Sequence, residues 1–290
     1  MFADIAVYGF IQSVALILMA FGFSLVYGVS RLPNFAHGAL YVLTGFIAWA
    51  LVVSSGLPYL LGAGLAILVA GALGVAIYYL VLRRVRGMEV SEVIATYAIG
   101  LAILEGLRYA GFRGTLYALP PVSEGVVFLF DVPVDHQRVG LVVMGFAMLA
   151  GIWGFTRYTR MGRALKGMAQ DERAAMMLGI DSDRTAAVAV ALGSMMAGVA
   201  ALIIFPLGSV VVEEGYKVLI YAIAVCVVGG LGSWAGTVIA SFVLGYSQYI
   251  TVAYGKPHFQ MVVMLLAIIA TLIVRPSGFF GKQKQLEERV

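Results

Sequence analysis

An all-α, polytopic bundle of about eight or nine membrane-crossing segments, some of them interrupted, is the fold this chain encodes. Hydrophobic residues make up 62% of its 290 positions and charged residues only 12%, with a mean hydropathy of +0.98. A soluble domain carries about 25% charged residues. The apolar residues also come in runs of about 20, the length of a helix that spans hydrocarbon. One long charged stretch, residues 157–184 (RYTRMGRALKGMAQDERAAMMLGIDSDR), separates such runs. It is excluded from the bilayer, because each ionised side chain at the centre costs about 2.5–3.5 kcal/mol. Its basic excess assigns it to the cytoplasm, where short basic loops concentrate.

The first run covers residues 5–29 and passes into SRLPNFAHG at 30–38 before apolar sequence resumes to 53. Pro33 lacks an N–H and clashes with a preceding helical turn, so the helix stops there. Asn34 is placed to cap the helix that follows. A broken helix inside a membrane is tolerated only where protein or a cavity surrounds it. A plain cytoplasmic turn at Arg31 is the alternative reading. His37 is read either as a pathway residue or as a hydrogen-bonded structural histidine.

A third run, 58–82, ends at RRVRG (83–87), and a fourth covers 93–111. Glu105 and Arg108, three apart, pair along that helix. Residues 112–138 form the longest segment on the far side. Turns are expected at Pro120-Pro121 and 131–133, with a short strand or interfacial helix at 126–130. The fifth run, 139–156, enters the charged loop. The sixth, 185–204, ends at Pro206. The seventh opens at 218–228, meets GGLGSWAG (229–236) and resumes over 237–254. The last, 259–274, closes at RPSGFFG (275–281). The basic loops agree on one side if the bilayer is crossed nine times, or eight if the first interruption is re-entrant. Two interrupted apolar segments, one per half, point to a midplane pathway, with Asn34, His37, Gly38, Gly229, Gly230 and Gly232 as its candidate residues.

The charged loop has its own pattern. Met161, Leu165, Met168, Ala169, Ala175 and Met176 recur on one helical face, and Arg163, Lys166, Gln170 and Arg173 on the other. Asp171 caps a second short helix, ERAAMML, which Gly179 ends. Such a segment either lies on lipid headgroups or inserts into a cytoplasmic partner. In the second case the apolar face, with Met168 and Met176, enters the partner's groove.

The sequence excludes several classes. It has no GK[ST]-ended phosphate loop, no H-E-x-x-H and no G-x-S-x-G. Three scattered histidines form no metal motif, and the single Cys226 pairs with nothing. The net charge of +4 reflects cytoplasmic loops rather than nucleic-acid binding. No cleavable signal is expected. The chain is thus expected to be a non-enzymatic, metal-free, single membrane domain over 1–290 that includes the loop 157–184. Intramembrane charges are too few for an ion relay, so energy for any active transport comes from elsewhere.

The motifs together resemble a family. YG at Tyr27-Gly28 with PNFAHG at 33–38, the loop 157–180, GGLGSWAG at 229–236 and RPSGFFG at 275–281 match, in order and spacing, the permease subunits of branched-chain amino acid ABC importers, most closely the shorter, LivH-type permease. The resemblance implies a permease of a bacterial-type inner membrane that pairs with a second permease subunit. It also implies two cytoplasmic ATP-binding subunits that use ATP and Mg, and an extracytoplasmic substrate-binding protein. It puts the coupling helix around Glu172, Ala174, Ala175 and Gly179, with Arg163, Met168, Asp171 and Met176 as its further residues. Residues 237–245 (TVIASFVLG) are less glycine-rich than the family pattern, and 114–138 match none of it. Urea or a short amide is an alternative substrate within the family. A stand-alone channel or secondary carrier is the reading from another class.

Overall fold

The computed structural model describes residues 2–31, 33–112 and 117–281. Its helices are α1 (Phe2–Ser30), α2 (His37–Ser54), α3 (Tyr59–Val85), α4 (Glu89–Tyr109), α5 (His136–Tyr158), α6 (Arg160–Gln170), α7 (Glu172–Met177), α8 (Ser182–Ile204), α9 (Glu214–Gly229), α10 (Trp234–Ala253) and α11 (Gln260–Val274). Strands β1 (Val126–Leu129) and β2 (Val132–Asp135) pair as an antiparallel hairpin. Its two-residue turn, Phe130 and Asp131, has φ of +52° and +63°, the conformation whose twist suits a tight hairpin. The segment read as a strand or an interfacial helix is therefore a strand. Among the described residues, eight helices are long and apolar enough to cross a bilayer. The chain is a multi-pass membrane protein.

α1 is the axis of the bundle. It packs against α10, α8, α9 and α5, and 83% of its most apolar stretch is buried. A helix that is apolar all round belongs in such a position. Polar residues fasten it to its neighbours. Gln12 Nε2 donates to Gln248 Oε1 at 2.9 Å, and Thr237 Oγ1 donates to Ser24 Oγ at 2.7 Å.

The first interruption is internal. His37 Nε2 lies 2.8 Å from the Met19 carbonyl, and Met19 sits eleven residues, about 16 Å of helix, before the end of α1. Residues 33–36 therefore lie back along α1, and α2 starts well inside the bundle. Asn34 is buried there and its Oδ1 accepts from the Ala36 N–H at 3.1 Å. It shapes the turn that leads into α2 and does not cap the helix, which begins after Ala36 without a side-chain cap. The Asn34 capping expectation is corrected to that extent, because the turn closes two residues early.

α9 begins at the same level from the opposite side. A Cβ on Gly38 would lie 2.0 Å from the Gly215 carbonyl oxygen, so the approach requires glycine at 38. Residues 205–213 descend to that point through a 3₁₀ turn at Phe205–Leu207 and an isolated bridge between Val210 and Tyr117. α9 then runs for 16 residues to the basic end, shorter than the roughly 20 of a full span. The break in the second half is thus at 205–213, where Pro206 and Gly208 stop α8. It is not at 229–236 as expected from the glycine run.

Residues 229–233 instead form the turn between α9 and α10 at the basic end. Gly230 and Gly232 have φ of +98° and +78°, and a Cβ on Gly232 would meet the Cα of Gly28 at 2.9 Å. The RPSGFFG segment closes over this turn. The N–H groups of Phe279 and Phe280 donate to the carbonyls of Val228 and Gly229 at 3.0 and 3.1 Å, which satisfies acceptors that the end of α9 leaves open. The three motifs YG, GGLGSWAG and RPSGFFG are therefore one packing unit.

A Cβ on Gly236 would lie 2.0 Å from the Gly229 carbonyl oxygen, whereas one on Gly64 meets nothing within 4 Å. Gly236→Val is expected to destabilise the detergent-solubilised protein by about 3 kcal/mol and Gly64→Ala to leave it unchanged, as read by thermal unfolding.

Candidate functional site

The loop at the basic end is built from three capped helices. Thr159 Oγ1 accepts from the Gly162 N–H at 2.9 Å and starts α6. Asp171 ends α6, and its Oδ1 accepts from the Ala174 N–H at 3.0 Å to start α7. Asp181 Oδ1 accepts from the Arg184 N–H at 3.0 Å to start α8. Leu178 and Gly179, with φ +84° at the glycine, close α7, as the sequence indicates. Short polar side chains at these positions satisfy N–H groups that a helix start leaves free.

The loop's apolar face divides in two. Leu165, Met168 and Ala175 are buried in a cluster with Ile17, Phe21 and Leu25 of α1. Met168 and Ala175 therefore anchor the loop to its own bundle and cannot enter a partner's groove, which corrects the expectation for Met168. The outward apolar surface is Met176, Met177 and Leu178, with exposures of 47%, 84% and 84%. Met177 and Leu178 were not singled out from the sequence. The signal was the run of three consecutive apolar residues, which one helical face cannot hide. Arg163 is exposed and borders a recess of about 350 Å³ with Lys166 and Arg157. Ala174 is half-buried.

A charge network ties α7 to the spanning helices. Arg86, at the end of the α3 segment, donates from Nη2 to Glu172 Oε1 at 2.5 Å and to Ser182 Oγ at 2.6 Å. Its Nη1 donates to Asp183 Oδ1 at 3.1 Å. Asp183 also accepts from the buried Tyr78 hydroxyl at 2.9 Å and pairs with Arg83 at 2.9 Å. Ser182 Oγ donates to Glu172 at 2.7 Å. One guanidinium thus bridges α3, α7 and α8, a fork geometry that lysine does not supply. Glu172 spends its charge inside the chain. Sequence alone does not pair Glu172 with Arg86, 86 positions away.

The candidate pathway residues have separate settings. Asn34, His37 and Gly38 are buried together behind the level where α2 and α9 begin. His37 has Met19 as its partner and Phe23 edge-on to its ring. Gly229 borders an apolar recess of about 340 Å³ with Phe279 and Phe280, and Gly230 and Gly232 hold the turn. Beyond the α2 and α9 starts, Arg108 pairs with Glu105, as expected, and also with Glu213 at 2.9 Å. Lys217 pairs with Glu214 at 2.6 Å. This half-exposed charged cluster joins α4 to the start of α9.

Residues 5–272 match the family described as branched-chain amino acid transport system / permease component. The high-affinity branched-chain amino acid transport system permease protein LivH of Escherichia coli (strain K12) is 29% identical over 281 residues, covering 91% of each chain. BraD of Pseudomonas aeruginosa, with the same descriptive name, is 27% identical over 281 residues and 91% of each chain. The ribose import permease protein RbsC of Escherichia coli (strain K12) is 27% identical over 272 residues, 89% of this chain and 81% of that one. The fold is similar to that in PsaBC from Streptococcus pneumoniae in complex with Fab, with a TM-score of 0.52 at 12% identity, covering 95% of this chain and 94% of that one. With its profile matched across nearly its whole length and its motifs joined in one helical bundle, the chain belongs to the permease components of branched-chain amino acid transport systems.

Proposed function

We propose that this chain is the membrane-spanning permease of an ATP-binding-cassette importer that moves branched-chain amino acids across a bacterial-type inner membrane. It carries no ATPase site of its own. It works beside a second permease subunit, with two cytoplasmic subunits that bind and hydrolyse Mg-ATP and a substrate-binding protein on the far side. The observation that carries this reading is the apolar tip Met176–Met177–Leu178, held outward at the basic end by a buried anchor and a charge network. An exposed apolar knob on a short capped helix is the shape that a groove on a partner accepts. Asp171 and Gly179 set the start and stop of that helix, and Arg163 lies on the flanking basic surface.

In this reading the ATPase subunits grip the tip, and their movement reaches α3 and α8 through Arg86, Glu172, Asp183 and Tyr78. Differential affinity of the ATP-bound and ATP-free partner for two permease conformations shifts the population between them. The translocation path follows the half-exposed face of α4 and α9, beside the level where α2 and α9 begin. Helices that begin inside a bundle supply unpaired N–H groups at that level. Asn34, His37 and Gly38 shape that level from behind, and Gly229, Gly230 and Gly232 keep α9 joined to α10 as it moves. The Glu105–Arg108–Glu213 cluster gives a zwitterion both signs of charge at the entrance.

In proteoliposomes containing the assembled complex, ATP-dependent uptake of leucine is expected. Urea or ribose uptake without leucine uptake would overturn the substrate, and flux indifferent to ATP would overturn the machine. Leu178→Glu is expected to weaken co-purification of the ATPase subunits about tenfold or more, since a charge enters an apolar contact. Arg86→Gln is expected to keep the ATPase subunits bound while uptake per ATP hydrolysed falls about fivefold. Its effect should be non-additive with that of Glu172→Gln, measured as a double-mutant cycle on uptake.

A further inference from the structure

A cleft of about 670 Å³ opens at the far end of the bundle, at the opposite end of α5 from the loop. Its walls are Val7, Phe10 and Ile11 of α1, Val142 of α5 and Tyr246 of α10, and the hairpin covers it with Phe130. On α1 it extends from Phe2 to Ile11, nine residues or about 14 Å along the axis. It therefore runs from headgroup level into the outer part of the hydrocarbon and stops there.

Among the described residues the cation lining the cleft is Arg138, two residues into α5. Its guanidinium lies 4.9 Å above the Tyr8 ring, and Nε faces Asp135 at 3.2 Å. Among the described residues its Nε, although buried, has no hydrogen-bond partner, so the contact with Asp135 is an ion pair alone. Tyr8 in turn donates to the Pro133 carbonyl at 2.5 Å, so the hairpin, the aromatic ring and the guanidinium are fixed to one another.

We infer that this cleft binds a diacyl phospholipid of the far leaflet, with one acyl chain in the apolar cleft and the phosphate on the terminal nitrogens of Arg138. The shape decides against a helix from another subunit. A cleft about 14 Å long on α1 is too short to seat a spanning helix, which runs about 30 Å. A thin flexible chain does fit. The charge decides for a phosphate head: a guanidinium offers two parallel donors to phosphate oxygens, and the fixed Tyr8 stacking holds that fork in place. Asp135 offsets the local positive charge, so the phosphodiester is the recognised group and not a surplus of anionic lipid. This inference requires only that the chain spans a bilayer, and is independent of what it transports.

The test is native mass spectrometry of the assembled complex, released from nanodiscs of phosphatidylethanolamine and phosphatidylglycerol. One retained phospholipid per permease chain is expected. Arg138→Gln and, separately, Val142→Trp should each lower the retained fraction about fivefold or more. Val143→Trp, on the exposed side of the same helix turn, should not. Unchanged circular dichroism for each variant separates loss of lipid from loss of fold, and Phe130→Asp serves in place of Val142→Trp if that variant fails to fold. Equal retention by Arg138→Gln would overturn the inference. Equal retention of a phosphate-free amphiphile such as a fatty acid would overturn it as well.

Discussion

The bundle depends on burying one helix from every side. Inside hydrocarbon there is no aqueous driving force to bring helices together, so association rests on close packing and on hydrogen bonds between side chains. α1 meets both demands. Glycine and serine along it let neighbours approach at backbone distance, as at Gly245 against Ser13 and Gly193 against Gly22. Gln12 and Ser24 supply hydrogen bonds to α10. The other spanning helices either touch α1 or touch something that does.

That arrangement explains why irregular backbone survives within the bundle. Residues 33–36 and 205–213 both leave backbone groups without helical partners. The first lies against α1 and α4, where Pro33 and Asn34 find partners in Thr96 and Ala36. The second takes a bridge to Tyr117. Asn34 and Ala36 in the first, and Val210 and Val212 in the second, are buried by neighbouring protein. α2 and α9 then run in opposite directions from a common level, although no residue-level repeat is visible between the two halves.

Much of this was legible in the chain. Spans follow from apolar length, and the loop's helix boundaries follow from Asp171 and Gly179, because caps are local chemistry. What was not legible is non-local. A helical wheel locates the face shared by Met168 and Met176 but does not say which part turns toward the chain's own core. The bond from Arg86 to Glu172 requires two loops to meet in space. Glycine runs mark close approach without saying whether a span is broken: at Gly229–Gly232 they serve a turn, while the true break used Pro206 and Gly208, which read as an ordinary helix end.

The central position of α1 also bears on biogenesis. It leaves the ribosome well before the helix it is fastened to: its hydrogen-bond partners Thr237 and Gln248 are 213 and 236 positions later. At about 5–20 residues per second of synthesis, α1 waits on the order of ten to forty seconds before α10 exists. During that interval Gln12 and Ser24 have no permanent partner in the chain, and an apolar helix carrying them must be sheltered by the insertion machinery or by transient neighbours. Completion then comes from the opposite terminus: the turn after α9 remains open until Phe279 and Phe280 emerge to close it. The bundle is thus assembled around an early helix and locked by a late segment.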